Sequence, residues 1–554
     1  MALSLVRRVM AHAVPSTAAA LFLLSASSSL SLAQERRPNI ALIVADDLGY
    51  ADIGSFGGEI STPNLDALAS VGLRFTNFGV SATCSPSRAM MLTGVDNHIA
   101  GLGNMAEFMA PNQKGNRGYE GYLNDRVVTV ASLLKDAGYN TYMAGKWHMG
   151  EDPAHWPAAR GFIRDLTLIP GGGSHLDDMW GAKGQKQLYT HNGQAIQSLR
   201  PGFHSSEDYS SSIIDDIEKD RGDGKPFFAY LALQAPHDPF QLPAEWLDKY
   251  KGRYDQGYDA TRATRIERMK KLGIVDATAT TFPRLPSVPA CTELSDNDRR
   301  QSSRRMELYA AMVEHMDANI GKLIRYLKSN NLYDDTLIIF LSDNGPEGTM
   351  MNMGKPWDNS RFEDWGKKGT FIQYGAAWAQ VSAGPFRLFK GFLSEGGIRA
   401  PLIIAGPAVR GSGRISNALA HIMDIPVTIL AAANVPHPDE YDGKAVAQLQ
   451  GKALVPILNA SRASVRDSSD WLGWELFGSR AIRQGDWKLL WLCEPYGTGS
   501  WQLYNLAADP AETVDLSSSQ PMTRERLIQH WAEYVETNNV ILPESSPVCA
   551  ASAN

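Results

Sequence analysis

The chain has 554 residues, 44% of them hydrophobic and 20% charged, with a formal net charge of -7. This composition fits a globular protein long enough for one large domain and a smaller one. With no basic excess and no run of Lys and Arg, it speaks against nucleic acid as a partner and against a membrane-surface patch, so an anionic substrate must be held by a few local cations.

Residues 1–33 read as a secretory signal peptide. Arg7 and Arg8 make a basic start, Leu21 to Leu24 is the most apolar part of an Ala-, Leu- and Ser-rich stretch, and Ser31-Leu32-Ala33 offers small residues before Gln34. The apolar part is too short and too Ser-rich to span ~30 Å of hydrocarbon. A periplasmic or secreted protein with no stable membrane anchor is therefore expected. Arg7-Arg8 also allows twin-arginine export, although the flanking residues match it poorly. The four cysteines, Cys84, Cys291, Cys493 and Cys549, are too few and too scattered for a disulfide framework or a zinc site. Export permits one oxidised pair, for which Cys493 with Cys549 is the expectation.

Several short, continuous aliphatic runs read as buried parallel strands: residues 39–45, 141–144, 227–233, 336–341 and 401–405. Helical patterns lie between them. Thr62 to Ala69 reads as a helix capped by Thr62, with Pro63 in its first turn. Val127 to Ala137 has helical spacing and stops at Gly138. Leu308 to Leu327 is a longer amphipathic helix. Gly171 to Gly173 and the polar stretch from Arg253 to Arg305 read as insertions or long loops, often a place for binding. This alternation implies an α/β domain with a mostly parallel sheet flanked by helices, over residues 34–435. After Val435 the texture changes. Strand-like runs at Trp487 to Leu492 and Gln502 to Leu506, then a helix around Arg524 to Thr537, imply a smaller C-terminal α+β domain with a short antiparallel sheet, over residues 436–554.

The informative residues follow the strands. Asp46-Asp47 follows the first, Lys146-Trp147-His148 the second, His237 the third and Asp343-Asn344 the fourth. Open α/β sheets bind ligands outside the carboxyl ends of their strands. Asp46, Asp47, Asp343 and Asn344 offer only oxygen donors, which suit Ca²⁺ or Mg²⁺ and not zinc. Either acidic pair alone would read as a turn; two pairs closing two buried strands read as a metal site. Cys84 stands before Ser85-Pro86-Ser87-Arg88 at the start of an apolar helix, where the helix N-terminus and Arg88 both favour negative charge. On that chemistry alone Cys84 is equally a structural cysteine.

Cys84-Ser85-Pro86-Ser87-Arg88, continuing into Leu92-Thr93-Gly94, resembles the signature of type I sulfatases. Further blocks resemble that family in its own order: Pro38 to Gly49, Thr62 to Asp66, Gly145 to His148, Ser342 to Gly345, Glu395 to Arg399, and Leu503 to Leu506 with Asp509-Pro510. The stretches around Asn97 to Gly101 and Arg387 to Lys390 are most similar to bacterial arylsulfatases of broad alkyl/aryl type. The resemblance implies an alkaline-phosphatase-like fold and a Cα-formylglycine made from Cys84, before folding, by a separate formylglycine-generating enzyme. The implied substrate is a small-molecule sulfate ester, aryl or alkyl.

In that pattern an aldehyde hydrate attacks sulfur with one hydroxyl and releases sulfate by deprotonation of the other, which a serine could not do. Asp46, Asp47, Asp343 and Asn344 would bind calcium in preference to magnesium, and Arg88 would pair with the hydrate and the carboxylates. Lys146 and Lys390 would hold sulfate oxygens. His148 would take a proton in the release step, and His237 would protonate the leaving alcohol. Trp147, His98 and Asn104 are candidates for lining the pocket, with packing as the alternative, and Asp238 has no assigned role. The alternatives are a formylglycine-dependent phosphonate monoester or phosphodiester hydrolase, a non-catalytic extracellular binding protein with the same fold, and a phosphatase using unmodified Cys84.

Overall fold

A computed structural model describes residues 37–546 and 548; the expected signal peptide and Cys549 lie outside them. The first apolar run becomes β1 (Asn39–Ala45), and every residue of it is buried. A strand covered on both faces needs no alternation of polar and apolar residues. The other strands of its sheet are β2 (Leu73–Gly79), β3 (Asn140–Lys146), β4 (Arg164–Leu168), β5 (Tyr189–His191), β6 (Gln194–Ile196), β7 (Phe227–Ala232), β8 (Thr336–Ser342), β9 (Arg399–Ala405), β10 (Arg414–Ser416) and β11 (Ala420–His421). Their order is β10-β2-β9-β8-β1-β7-β3-β4-β5-β6, with β11 also on β2. The central strands β8, β1, β7, β3 and β4 run parallel. Val44 lies opposite both Ala232 and Leu341, so β1, β7 and β8 end at one level.

Three expectations are corrected. Residues 401–405 lie in β9, which is antiparallel to both its neighbours. An apolar run reports burial on both faces, not direction. β9 starts at the edge where β8 ends, because the short helix Glu395–Ile398 delivers the chain there. The stretch 253–305 is not simply a loop: Gly257–Leu272 is a helix, and Asp296–Ser329 is a 34-residue helix that starts well before Leu308, with Ser295 as its N-cap. The first of these is mostly polar, but it buries Tyr258, Ile266 and Met269 together with Arg265, which pairs with Glu59 at 2.7 Å and with Asp52. Thr62 does not cap the helix Pro63–Val71. Asp317 does so from another helix, accepting from the backbone N–H of Asn64 at 3.1 Å and of Leu65 at 2.8 Å.

The C-terminal region adds a small hairpin, β12 (Glu440–Tyr441) with β13 (Lys444–Ala445), and an antiparallel sheet in the order β14 (Trp471–Leu476), β15 (Ser479–Gln484), β16 (Trp487–Trp491), β17 (Trp501–Asn505). The helix Pro521–Asn538 covers this sheet and buries Ile482, Leu489 and Leu503 against Leu527, Trp531 and Tyr534. From Arg37 onward the chain forms one compact unit. Lys488 of β16 is buried 2.8 Å from both Glu395 and Glu512, tying this sheet to the helix before β9. Cys493 is disulfide-bonded; Cys84 and Cys291 are free thiols. Among the described residues, no helix is long and apolar enough to cross a membrane.

A second tie is His98, buried between Asp96 at 2.7 Å and Glu475 at 3.5 Å, with Tyr534 donating to Asp96 at 2.9 Å. Burial opposes its charge, but the two carboxylates overrule that and raise it from 6.5 to about 9. A raised histidine contributes stability that is full below its unfolded pKa and is lost as pH rises through the folded one. The window is therefore about pH 6.5 to 9, and the contribution is at most about 3 kcal/mol. Melting temperatures across that window should fall more steeply for the wild type than for His98→Gln. Parallel slopes would show that His98 is not charged in the fold.

Candidate active site

The parallel strands deliver their following residues to one rim. Asp46 and Asp47 come straight off β1, and Asp343 and Asn344 straight off β8; all four are buried. Asp47 takes a left-handed backbone at φ 65, which turns successive carboxylates into the same space. Lys146 is the last residue of β3, and His148 follows at φ 59. Beyond the strand proper the chain stays paired, with Trp147 and His148 donating backbone N–H bonds to Leu168 and Ile169. That pairing brings Gly171 to Gly173 onto the histidines. A side chain at Gly171 would meet the His148 ring at 2.6 Å, and one at Gly172 the His237 ring at 3.3 Å. The triple glycine is a close cover over both rings.

Cys84 begins the helix Cys84–Thr93, in which every residue is buried. Its thiol lies 3.3 Å from Asp46 Oδ1. One turn on, the Arg88 guanidinium reaches Asp343 at 2.8 and 2.9 Å, lies 3.7 Å from Asp46, and donates to the Lys146 carbonyl at 2.8 Å. Lys146 Nζ is 2.6 Å from Asp46 Oδ2. Lys390 Nζ is 2.9 Å from Asp47 Oδ2 and 3.4 Å from Glu347. Its loop is fixed by backbone bonds from Lys390 to Pro346 and from Gly391 to Ala82, so it is pinned beside both Asn344 and Cys84. His237 Nε2 lies 3.6 Å from Asp47, and its Nδ1 is 2.7 Å from the Asp238 carbonyl and 3.2 Å from that carboxylate. All ten sequence-derived candidates thus meet at this edge or touch a residue that does, with one difference. The His148 ring is hydrogen-bonded not to Cys84 but to Glu107, at 3.0 Å.

The electrostatics follow from burial. Asp46 would be raised by desolvation, but Lys146, His237 and Arg88 overrule this and hold it ionised. Burial, with Asp46 beside it, raises Asp343 to about 6. Burial and Asp46 push the Cys84 thiol well above its ordinary value, so it stays protonated. Burial opposes the charge of His237, but Asp47 and Asp46 raise it to about 9. His148 goes the other way: desolvation lowers it, against the pull of Glu107.

The donor set fits a hard cation. Asp46, Asp47, Cys84 and His237 each place a potential ligand atom within 4.8 Å of the others. Asn344 donates to Asp47 at 2.6 Å, while its Oδ1 is buried without a partner. A buried amide oxygen left without a donor is costly, and a cation among Asp46, Asp47 and Asp343 is a group that could satisfy it. Beside Asp47 and His237 lies a shallow pocket lined also by Asp238, Phe240, Glu347 and Gln373. Glu107 and Glu347 were not legible in sequence: each is a lone acid in a loop, and only the fold brings it here. Of the other candidates, Trp147 is packed, with its indole N–H on the His155 carbonyl. His98 serves the C-terminal tie, and Asn104 braces the turn at residues 104–108.

A family model described as Sulfatase matches residues 38–435, and one described as N-sulphoglucosamine sulphohydrolase, C-terminal, matches residues 384–537. An uncharacterized sulfatase of Schizosaccharomyces pombe is 42% identical over 535 residues, covering 92% of this chain and 96% of the relative. An arylsulfatase of Klebsiella aerogenes is 38% identical, over 78% of this chain and 95% of its own. The crystal structure of Ps i-CgsB in complex with k-i-k-neocarrahexaose superposes with a TM-score of 0.66 at 25% identity, over 94% and 96% of the two chains. The rim of carboxylates and cations around Cys84 thus lies in an alkaline-phosphatase-like fold, and the chain belongs to the sulfatase family, as a sulfuric ester hydrolase.

Proposed function

We propose that the protein hydrolyses aryl and alkyl sulfate monoesters with a formylglycine derived from Cys84 and a calcium ion. The observation that carries this reading is the Cys84 side chain 3.3 Å from Asp46, among three buried carboxylates and three buried cations. A neutral thiol there is a poor nucleophile and a poor ligand for a hard metal. Oxidised to formylglycine, position 84 supplies a hydrated aldehyde, and a bound divalent cation supplies Lewis-acid activation of its hydroxyl. Cys84 is 1% exposed, so the formylglycine-generating enzyme must reach it before the chain folds.

Asp46, Asp47, Asp343 and Asn344 are the residues to hold the cation. Calcium is favoured over magnesium because it tolerates irregular oxygen cages. Lys146 and Lys390 now neutralise Asp46 and Asp47. With those carboxylates engaged by a cation, both ammonium groups are free to turn to sulfate oxygens and to stabilise charge that develops there. Arg88 keeps Asp343 and Asp46 ionised and oriented. His237, with Nδ1 on the Asp238 carbonyl, presents Nε2 to the site and is placed to protonate the leaving alcohol. His148 accepts a proton in the release of sulfate. Lys146, His148 and Lys390 together favour sulfate over a phosphonate or phosphodiester. The same reading takes residues 1–33 as an export signal for a periplasmic or secreted enzyme, and residues 34–435 as the catalytic domain, followed by a smaller one.

Mass spectrometry of the peptide holding position 84, from protein made together with a formylglycine-generating enzyme, should find the aldehyde, and Cys84→Ala should have no sulfatase activity. An unmodified thiol in fully active protein would overturn the chemistry. Stripping divalent cations should lower the melting temperature; calcium at a hundredfold excess over its Kd should return about 2.7 kcal/mol of stability, and magnesium at the same concentration less. Asp343→Asn should lose this response. His237→Ala should slow alkyl sulfates by ~10²–10⁴-fold and nitrophenyl sulfate far less, since a nitrophenolate leaves without a proton. Equal losses on both would remove His237 from the leaving-group role.

A further inference from the structure

We propose that Glu107 is a positioning residue that fixes the tautomer of His148, holding the proton on Nε2 and leaving Nδ1 as the basic nitrogen. This rests on the proton-accepting role given to His148 above. The two ring nitrogens have unlike surroundings. Nε2 is 3.0 Å from Glu107 Oε1 and 3.4 Å from Oε2. Nδ1 is buried with no hydrogen-bond partner. A carboxylate only accepts, so it selects the tautomer with hydrogen on Nε2. A base that removes a proton needs a free lone pair, and Nδ1 is the nitrogen that keeps one. Burial favours the neutral ring, against the pull of Glu107, and only a neutral ring can act this way.

The ring has little freedom to escape this arrangement. His148 sits at φ 59, and the Gly171 backbone lies so close that a Cβ there would be 2.6 Å from the imidazole. Glu107 itself is half-exposed, and a half-exposed ion pair alone would say little. Its backbone, however, is anchored. Asn104 accepts from the Met105 N–H and donates to the Phe108 carbonyl, closing the turn Ala106–Phe108. Phe108 meets Phe477, in the turn between β14 and β15, edge-on at 6.1 Å. Farther on, Asn112 and Gln113 donate to the carbonyls of Leu542 and Ile541 at 2.9 and 2.7 Å, and Tyr119 donates to Ile541 at 3.0 Å. The C-terminal layer thereby holds the segment that holds His148. No strand end supplies Glu107; a loop braced by the second layer does.

The test uses the full chain labelled with ¹⁵N-histidine, with Cys84 unmodified, and His148 assigned by comparison with His148→Gln. Long-range ¹H–¹⁵N spectra should show a protonated Nε2 and an unprotonated Nδ1 in the wild type. In Glu107→Ala the two nitrogens should move toward averaged shifts. Glu107→Gln, whose amide oxygen still accepts from Nε2, should keep the wild-type pattern. In formylglycine-containing enzyme, kcat for nitrophenyl sulfate should fall at least ~10-fold in Glu107→Ala with KM changed far less, and Glu107→Gln should recover most of it. An unchanged tautomer in Glu107→Ala, or a kcat within about twofold of wild type, overturns the proposal. The spectra do not depend on turnover, so a wild type that shows this tautomer but cleaves no sulfate ester would sink the sulfatase chemistry and leave the role of Glu107 standing.

Discussion

Three carboxylates, Asp46, Asp47 and Asp343, are buried at the ends of neighbouring parallel strands. Removing ions from water costs several kcal/mol each unless partners compensate. Much of the surrounding architecture follows from that need. Arg88 is wholly buried because it bridges Asp343 and Asp46. Lys146 is the residue at which β3 stops, so its ammonium reaches Asp46 without entering solvent. Lys390 arrives on a loop pinned to Pro346 and Ala82. Each cation comes from a different element, so the charge cluster staples the helix at Cys84, the ends of β1, β3 and β8, and one loop to a single point. The groups that keep the fold from rejecting its carboxylates include the two lysines proposed to hold the singly charged sulfate ester. On that reading stability and substrate binding draw on one set of charges, and losing one cation would harm both.

The C-terminal layer extends this logic. Its sheet is joined to the large one by buried ions, Lys488 with Glu395 and Glu512, and His98 with Asp96 and Glu475. Buried ion pairs are seldom the cheapest way to stabilise an interface. They do fix register, because a displaced charge is left unsatisfied. Glu395 stands in the helix that starts β9, and Asp96 caps the helix just after the Cys84 helix. Both ties thus act on segments that border the site. A purely apolar contact would hold the layer as firmly but place it less strictly.

What was legible in sequence is what local chemistry determines. Runs such as residues 39–45 and 336–341 announce burial through unbroken aliphatic composition, and the acids after them announce a rim. The pairs Asp46-Asp47 and Asp343-Asn344 could therefore be placed together without a structure. The direction of β9 could not, because composition is the same either way along a strand. β2 was missed because it is only half-buried and is interrupted between Phe75 and Phe78. The helix Gly257–Leu272 reads as loop because its apolar face is thin, with Tyr258, Ile266 and Met269 the large apolar side chains it buries; buried Arg265 completes that face through partners some 200 residues distant in sequence. Glu107 shows the same limit at the site. An acid in a loop carries no sign of the histidine it will meet, since that meeting is set by a third segment near Phe477 and Ile541.

The burial of Cys84 also orders events in time. The residue lies at the head of a helix with no exposed member, under a loop, against an ionised aspartate. Its thiol is held protonated there, and protonated thiols react slowly. On the proposed chemistry, the native site is a poor place to carry out the oxidation at sulfur and a good place to use its product. Before folding, the same segment is a short run of small and polar residues, Cys84 to Ser87 with Arg88, which the proposed modifying enzyme would meet as an extended chain. Once the helix seats, Arg88 lies on Asp343 and position 84 is closed. The proposed conversion therefore has to precede the ion pairing that stabilises the fold.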